Sequence, residues 1–168
     1  MSDLPVVASQ LVVAPARPED RAAIALICER TGAFTPEEVQ TALELFDGYV
    51  TDAQRTGYNF IGCYAAAAGR LLGFVCWGPT ALSKGAADMY WLATDPAAQG
   101  RGVATALFQA VEEAVRAAGR WLIMIWTSSE PVYEPARRLY LRRGCALAMQ
   151  ITDFYDRGDD LCAYVRRL

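Results

Sequence analysis

The sequence contains no histidine and only one lysine, Lys84. Without histidine there is no Ser-His or Cys-His nucleophilic pair and no zinc site of the histidine-containing kind, which removes several hydrolase classes and leaves no metal expected. A disulfide framework is also lacking. The five cysteines, Cys28, Cys63, Cys76, Cys145 and Cys162, are odd in number, none stands at a CxxC spacing from another, and they read as reduced packing thiols. Long hydrophobic runs are missing too, since stretches such as Leu71 to Trp77 and Trp121 to Trp126 are strand-length against the roughly 20 residues of a membrane span. Asp3 and Pro5 stand where a secretory leader would carry a basic segment and then an apolar run, so the expected location is cytoplasmic, with no membrane partner. The formal charge of -3 lacks the basic footprint of a nucleic-acid binder, despite a local cluster of Arg137, Arg138, Arg142 and Arg143.

What is present is enough for one folded domain spanning residues 1–168. A hydrophobic fraction of 54% with 21% charged residues can bury a core and argues against disorder. Gln10 to Ala14 reads as a first strand, closed by the turn at Arg17-Pro18-Glu19-Asp20. A helix capped by Asp20 follows, with Ala23, Ile24, Ile27 and Cys28 at helical spacing. Thr35-Pro36-Glu37-Glu38 opens a second helix: Thr35 is the N-cap, Pro36 takes the first helical position, Glu38 completes a capping box, and the stripe is Val39, Leu43 and Phe46. Asn59 to Ala65 and Leu71 to Gly78 form a hairpin through Ala68-Gly69-Arg70. Asp88 to Thr94 is a strand leading into a Gly-rich turn and a helix from about Gly102 to Ala118. Trp121 to Trp126 reads as a parallel strand covered on both faces, completing a βαβ unit. A short helix over Pro135 to Arg143 stops at Gly144, and two closing strands, about Ala146 to Tyr155 and Leu161 to Val165, end the chain.

The turn Gln99-Gly100-Arg101-Gly102-Val103-Ala104 concentrates chemistry. Helix starts carry unpaired N–H donors and partial positive charge, and glycines let phosphates approach the backbone, so the turn suits a pyrophosphate. Read alone, Gly100 and Gly102 also fit a plain tight strand-to-helix turn. A P-loop would need Gly-Lys-Ser/Thr, and Lys84 lies elsewhere; a dinucleotide fingerprint would need a third glycine and an acid ending the next strand, where Trp126-Thr127 stands.

Gln99, Gly102 and Ala104 fill the pattern of the acyl-CoA loop of the GNAT N-acetyltransferase family: Gln or Arg, two residues, Gly, one residue, then Gly or Ala. The order of elements resembles that family over nearly the whole chain, most strongly from Asp88 to Cys145. The resemblance implies an α/β (α+β) fold, with a mixed, mostly antiparallel sheet of about six to seven strands flanked by helices and one parallel βαβ unit carrying the loop. It further implies an enzyme that moves an acetyl group from acetyl-CoA to an amine of a small molecule, amino acid or peptide. Leu92, Ala93 and Thr94 would offer backbone groups to the pantetheine arm and thioester, and Gln99, Gly100, Arg101, Gly102, Val103 and Ala104 would hold the pyrophosphate. Ala136, Tyr140 and Gly144 match the family's short helix, which makes Tyr140 the expected general acid for the leaving thiolate. Asp88 is the first choice of base, on the strand where histone-modifying members keep a glutamate; strand alternation predicts it on one face with Tyr90, Leu92 and Thr94. Glu130, Glu134 or a water chain are the other candidates.

The chain departs from the family at about Tyr133, where asparagine is frequent, and at Cys145, where an aromatic follows Gly144. A non-catalytic acyl-CoA-binding module and a flavin- or nucleotide-binding domain are the competing readings. The apolar C-terminal strands also offer an edge for a homodimer.

Overall fold

Residues 11–66 and 69–168 are described in a computed structural model. Gln10, Ala68, and the Asp3 and Pro5 that bear on a leader lie outside them. The elements run β1 (Leu11–Pro15), α1 (Arg21–Thr31), α2 (Pro36–Thr56), β2 (Asn59–Ala65), β3 (Leu71–Pro79), β4 (Ala86–Thr94), α3 (Val103–Ala117), β5 (Leu122–Ser128), α4 (Glu134–Arg142), β6 (Ala146–Asp156) and β7 (Asp159–Arg167). The expected chemistry starts α2: Glu38 N–H donates to the Thr35 hydroxyl at 3.2 Å, and Thr35 N–H returns a bond to the Glu38 carboxylate at 2.8 Å.

The seven strands form one sheet in the order β1-β2-β3-β4-β5-β7-β6. Every neighbouring pair is antiparallel except β4 and β5, which are parallel because α3 carries the chain back between them. On one face Val75, Trp77, Ala87, Met89, Ile123 and Ile125 pack with Val103, Leu107, Phe108 and Val111 of α3. On the other, Phe60, Phe74 and Cys76 pack with Ile24, Ile27 and Phe46 of α1 and α2. All five cysteine side chains are buried, and none is in a disulfide.

Helices α1 and α2 lie against β2, β3 and β4, short of the far end of the sheet. The expectation that Trp121 to Trp126 is covered on both faces is therefore corrected. Along β5 only alternate residues, Ile123 and Ile125, face the α3 core, while Trp126 is 48% exposed. Beyond it, edge strand β6 is exposed along its whole length, including Leu147, Met149 and Ile151.

Candidate active site

The turn between β4 and α3 is fixed by Asp95, which is buried although acidic. One carboxylate oxygen accepts from Ala97 N–H at 2.9 Å, and the other faces Arg30 at 3.1 Å and Arg70 at 3.4 Å. From this anchor the backbone enters α3 through Gly100 at φ +75° and Gly102 at φ +82°, conformations that side-chain-bearing residues rarely adopt. Nothing stands within 4 Å of where a Cβ would be at either position, so backbone conformation demands glycine here and leaves the approach open. The amides of residues 100–105 find no hydrogen-bond partner among the described residues. The first intrahelical bond is Ala106 N–H to the Gly102 carbonyl at 2.9 Å. Clustered free donors at the positive end of a 15-residue helix form a cradle able to take an anion such as phosphate. Gln99 and Arg101 are exposed beside it, Ala104 is half-buried, and the Val103 side chain belongs to the core, leaving only its amide for a ligand.

A cleft opens next to this cradle. Strand β4 pairs with β5 only where Ala86 through Met89 meet Leu122 through Ile125. Past that point β4 follows β3 to Thr94, while β5 follows β7 to Ser128. The strands part, and the edge of β4 carrying Leu92, Ala93 and Thr94 is left without a ladder partner on its β5 side, open to a ligand's amide groups.

A register shift accompanies the parting: Trp77 pairs with Met89 and Cys76 with Trp91, so Tyr90 is an extra residue bulged out of β4. The bulge corrects the expected facing of Asp88. Leu92 packs in the α3-side core with Ala87 and Met89, whereas Trp91 and Ala93 belong to the α1/α2 side. Asp88, between Ala87 and Met89, shares the α1/α2 face, opposite Leu92. There its carboxylate accepts from the Trp126 indole N–H at 3.3 Å. The bulged Tyr90 stacks edge-on to Tyr58 at 5.7 Å, and burial, with Asp88 and Tyr58 nearby, pushes its hydroxyl up to about 12.

Helix α4 ends as predicted. Cys145 N–H reaches back to the Tyr140 carbonyl at 2.9 Å and Gly144 N–H to that of Leu141 at 3.0 Å, with Gly144 in the left-handed region. Tyr140 lies one turn from this end, 6% exposed, its ring 6.3 Å from Phe108 and 5.6 Å from Tyr164. Burial holds its hydroxyl far above the usual phenol range, so it keeps its proton at neutral pH. Tyr140 lies on the α3 side and Asp88 on the other, with the parted strands as the open route between them. Of the other base candidates, Glu134 is paired with Arg138, and Glu130 is exposed at the start of the α4 connection.

The sequence profile of the acetyltransferase (GNAT) family matches residues 23–145. The chain belongs to that family. A GNAT protein from Desulfovibrio desulfuricans, described as an acetyltransferase, is 33% identical, with 94% of this chain and 99% of that one covered at a TM-score of 0.89. An N-acetyltransferase from Staphylococcus aureus Mu50 is 19% identical, with 95% and 99% covered and a TM-score of 0.76. A Salmonella typhimurium protein described as an acetyltransferase, solved with acetyl-CoA, is 18% identical, with 94% of each chain covered and a TM-score of 0.74. No match is found among the curated proteins.

In this GNAT acetyltransferase the sheet and its parallel pair are those the resemblance implied. Among the described residues there is no cluster of three or more His, Cys, Asp and Glu side chains arranged to hold a metal ion, and no helix long and apolar enough to cross a membrane. Sequence reasoning missed the aromatic group at the open end of the cleft. Phe34, in the turn between α1 and α2, stands 6.5 Å from Trp91 and 6.4 Å from Tyr133. An exposed-looking phenylalanine between two helices was the available signal.

Proposed function

We propose that the chain, as a single domain over residues 1–168, transfers an acetyl group from acetyl-CoA to a primary amine by direct attack on the thioester. The observation that carries this reading is the row of unpartnered amides at residues 100–105 beside the open edge of β4. The cradle fits a pyrophosphate and the edge fits the amide-bearing arm behind it. A structural neighbour solved with acetyl-CoA and an aminoglycoside 6'-N-acetyltransferase solved with coenzyme A support the choice of donor.

Acetyl-CoA supplies the activated acetyl group and departs as the free thiol. The amides around Gly102 hold the phosphates, and the backbone at Leu92, Ala93 and Thr94 aligns the arm. A backbone N–H near Leu92 stabilises the negative charge that builds on the carbonyl oxygen. Asp88 takes the proton lost by the amine, directly or through water, and the Tyr140 hydroxyl gives one to sulfur. An N–C bond forms as the C–S bond breaks, and one proton passes from nitrogen to sulfur overall. The acceptor is a small-molecule or peptide amine, the location cytoplasmic, and the bare β6 edge a homodimer contact.

Calorimetry with acetyl-CoA, paired with coenzyme A release over an amine panel, tests the proposal. Binding with amine-dependent thiol release is expected. Binding without turnover on any amine would reduce the chain to an acyl-CoA-binding module, and absence of binding would remove the site altogether.

A further inference from the structure

The end of the cleft opposite the phosphate cradle is walled by aromatic rings from three separate segments. The Tyr133 hydroxyl donates to the Ala33 carbonyl at 2.8 Å, tying the β5–α4 connection to the turn between α1 and α2. Phe34 from that turn lies between Tyr133 and Trp91, close to both rings. Trp91 precedes Leu92 in β4 but faces the other way, so these rings stand on the side away from the cradle at the head of α3. All three residues are half-buried, and the Trp91 indole N–H is buried with no partner among the described residues.

Around these rings the carboxylates of Glu38, Glu130 and Asp159 outnumber the Arg137 guanidinium. Burial, then Glu38, Glu130 and Asp159, push the Tyr133 hydroxyl up to about 12, and burial, Asp159 and Glu38 raise Tyr155 on the β6–β7 hairpin. None of the three carboxylates is in an ion pair among the described residues. Glu38 accepts from Thr35 N–H, and Asp159 from the Ser128 hydroxyl and Ser129 N–H. The guanidinium of Arg137, which reaches the same strand end, donates to the backbone carbonyls of Ser128 at 2.7 Å and Glu130 at 2.9 Å.

We propose that this face selects a primary amine on an apolar aryl or alkyl body and rejects free α-amino acids as acceptors. The inference rests on the acetyl-transfer reading of the same cleft. Aromatic faces attract an ammonium group and pack against an apolar body. A free amino acid would bring its own carboxylate among Glu38, Glu130 and Asp159, a like-charge contact of the kind that sets specificity by exclusion.

The test uses pairs that differ by one carboxylate: 2-phenylethylamine against phenylalanine, and pentylamine against norleucine. With the wild-type chain, kcat/KM for each amine should exceed that of its amino acid by about 10-fold or more, or about 1.4 kcal/mol of discrimination. Equal use of both members would overturn the proposal, as would failure to acetylate either amine by a chain that binds acetyl-CoA in calorimetry. Failure to bind acetyl-CoA would instead overturn the acetyl-transfer reading beneath it. Glu38→Gln keeps a side chain able to cap α2 and removes only the charge, so the preference for 2-phenylethylamine over phenylalanine should narrow about threefold. Phe34→Ala should raise the KM for 2-phenylethylamine about fivefold or more while the Kd for acetyl-CoA stays constant. If that variant does not fold, Phe34→Leu replaces it, with a smaller rise in KM expected. An unchanged preference in Glu38→Gln, or an unchanged KM in the folded Phe34 variant, counts against the proposal.

Discussion

Glu112, on α3, meets the Arg166 guanidinium of β7 at 2.6 Å although its own side chain is almost wholly buried. Its other carboxylate oxygen accepts from Arg143, just past the end of α4, so one acid ties two helices and a strand together beside Tyr140. Burial alone would raise the Glu112 carboxyl, but the two guanidiniums outweigh it and hold it below the usual carboxylate range. Glu112→Gln should then cost about 3–5 kcal/mol, because two largely buried guanidiniums lose their counterion. The sign with pH is fixed by the lowered folded-state pKa. The stability gap between wild type and Glu112→Gln should hold above the unfolded carboxyl pKa and close as pH falls through the folded one. Denaturant unfolding of both chains between about pH 7 and pH 3 measures it.

Gly102→Leu tests the phosphate cradle. The positive φ makes a side chain there cost about 1–2 kcal/mol, and the new side chain enters the space left open for phosphate. The KM for acetyl-CoA should rise about 10-fold or more, equivalent to about 1.4 kcal/mol of lost binding, in a chain that still folds cooperatively. An unchanged KM would move the phosphates elsewhere.

Asp88→Asn should lower kcat more than it weakens acetyl-CoA binding, since a base acts on the amine and not on the donor. Asparagine retains an oxygen for the Trp126 indole, so the local fold should survive. Wild-type rates across the pH range would pass the role to Glu130, Glu134 or water.

Tyr140→Phe removes one hydroxyl from a ring held between Phe108 and Tyr164. Turnover should fall about 10²-fold with melting temperature and acetyl-CoA affinity nearly constant, the pattern of an interaction made in the transition state. Tyr140→Ala should in addition cost about 3–5 kcal/mol of stability through the cavity it leaves. A fully active Phe variant would confine Tyr140 to packing.

Local chemistry was legible in the sequence. Thr35, Pro36 and Glu38 write the start of α2 within four residues, and Gly144 writes the end of α4, because the partners are neighbours in the chain. The strand-helix-strand order already pointed to the parallel pair, and the resemblance added the acyl-CoA role of the loop. Features set by contacts between distant segments were not legible. The bulge at Tyr90 comes from the match of β4 to β3, and it turned Asp88 away from Leu92, where unbroken alternation had placed them together. Glu112 reads like any exposed helix acid, since its guanidinium partners stand 31 and 54 residues away. The contact between Phe34 and Tyr133 likewise spans most of the chain and leaves no local pattern.

The five buried thiols bear on how activity can be followed. Burial pushes Cys28 up to about 12 and Cys145 up to about 11, and raises Cys63, Cys76 and Cys162 as well, so each is held as an unreactive thiol inside the folded chain. A disulfide dye added to the native enzyme should therefore develop colour from released coenzyme A alone. The same dye in denaturant should count five protein thiols per chain, giving one reagent both a turnover signal and an internal gauge of how much protein is folded.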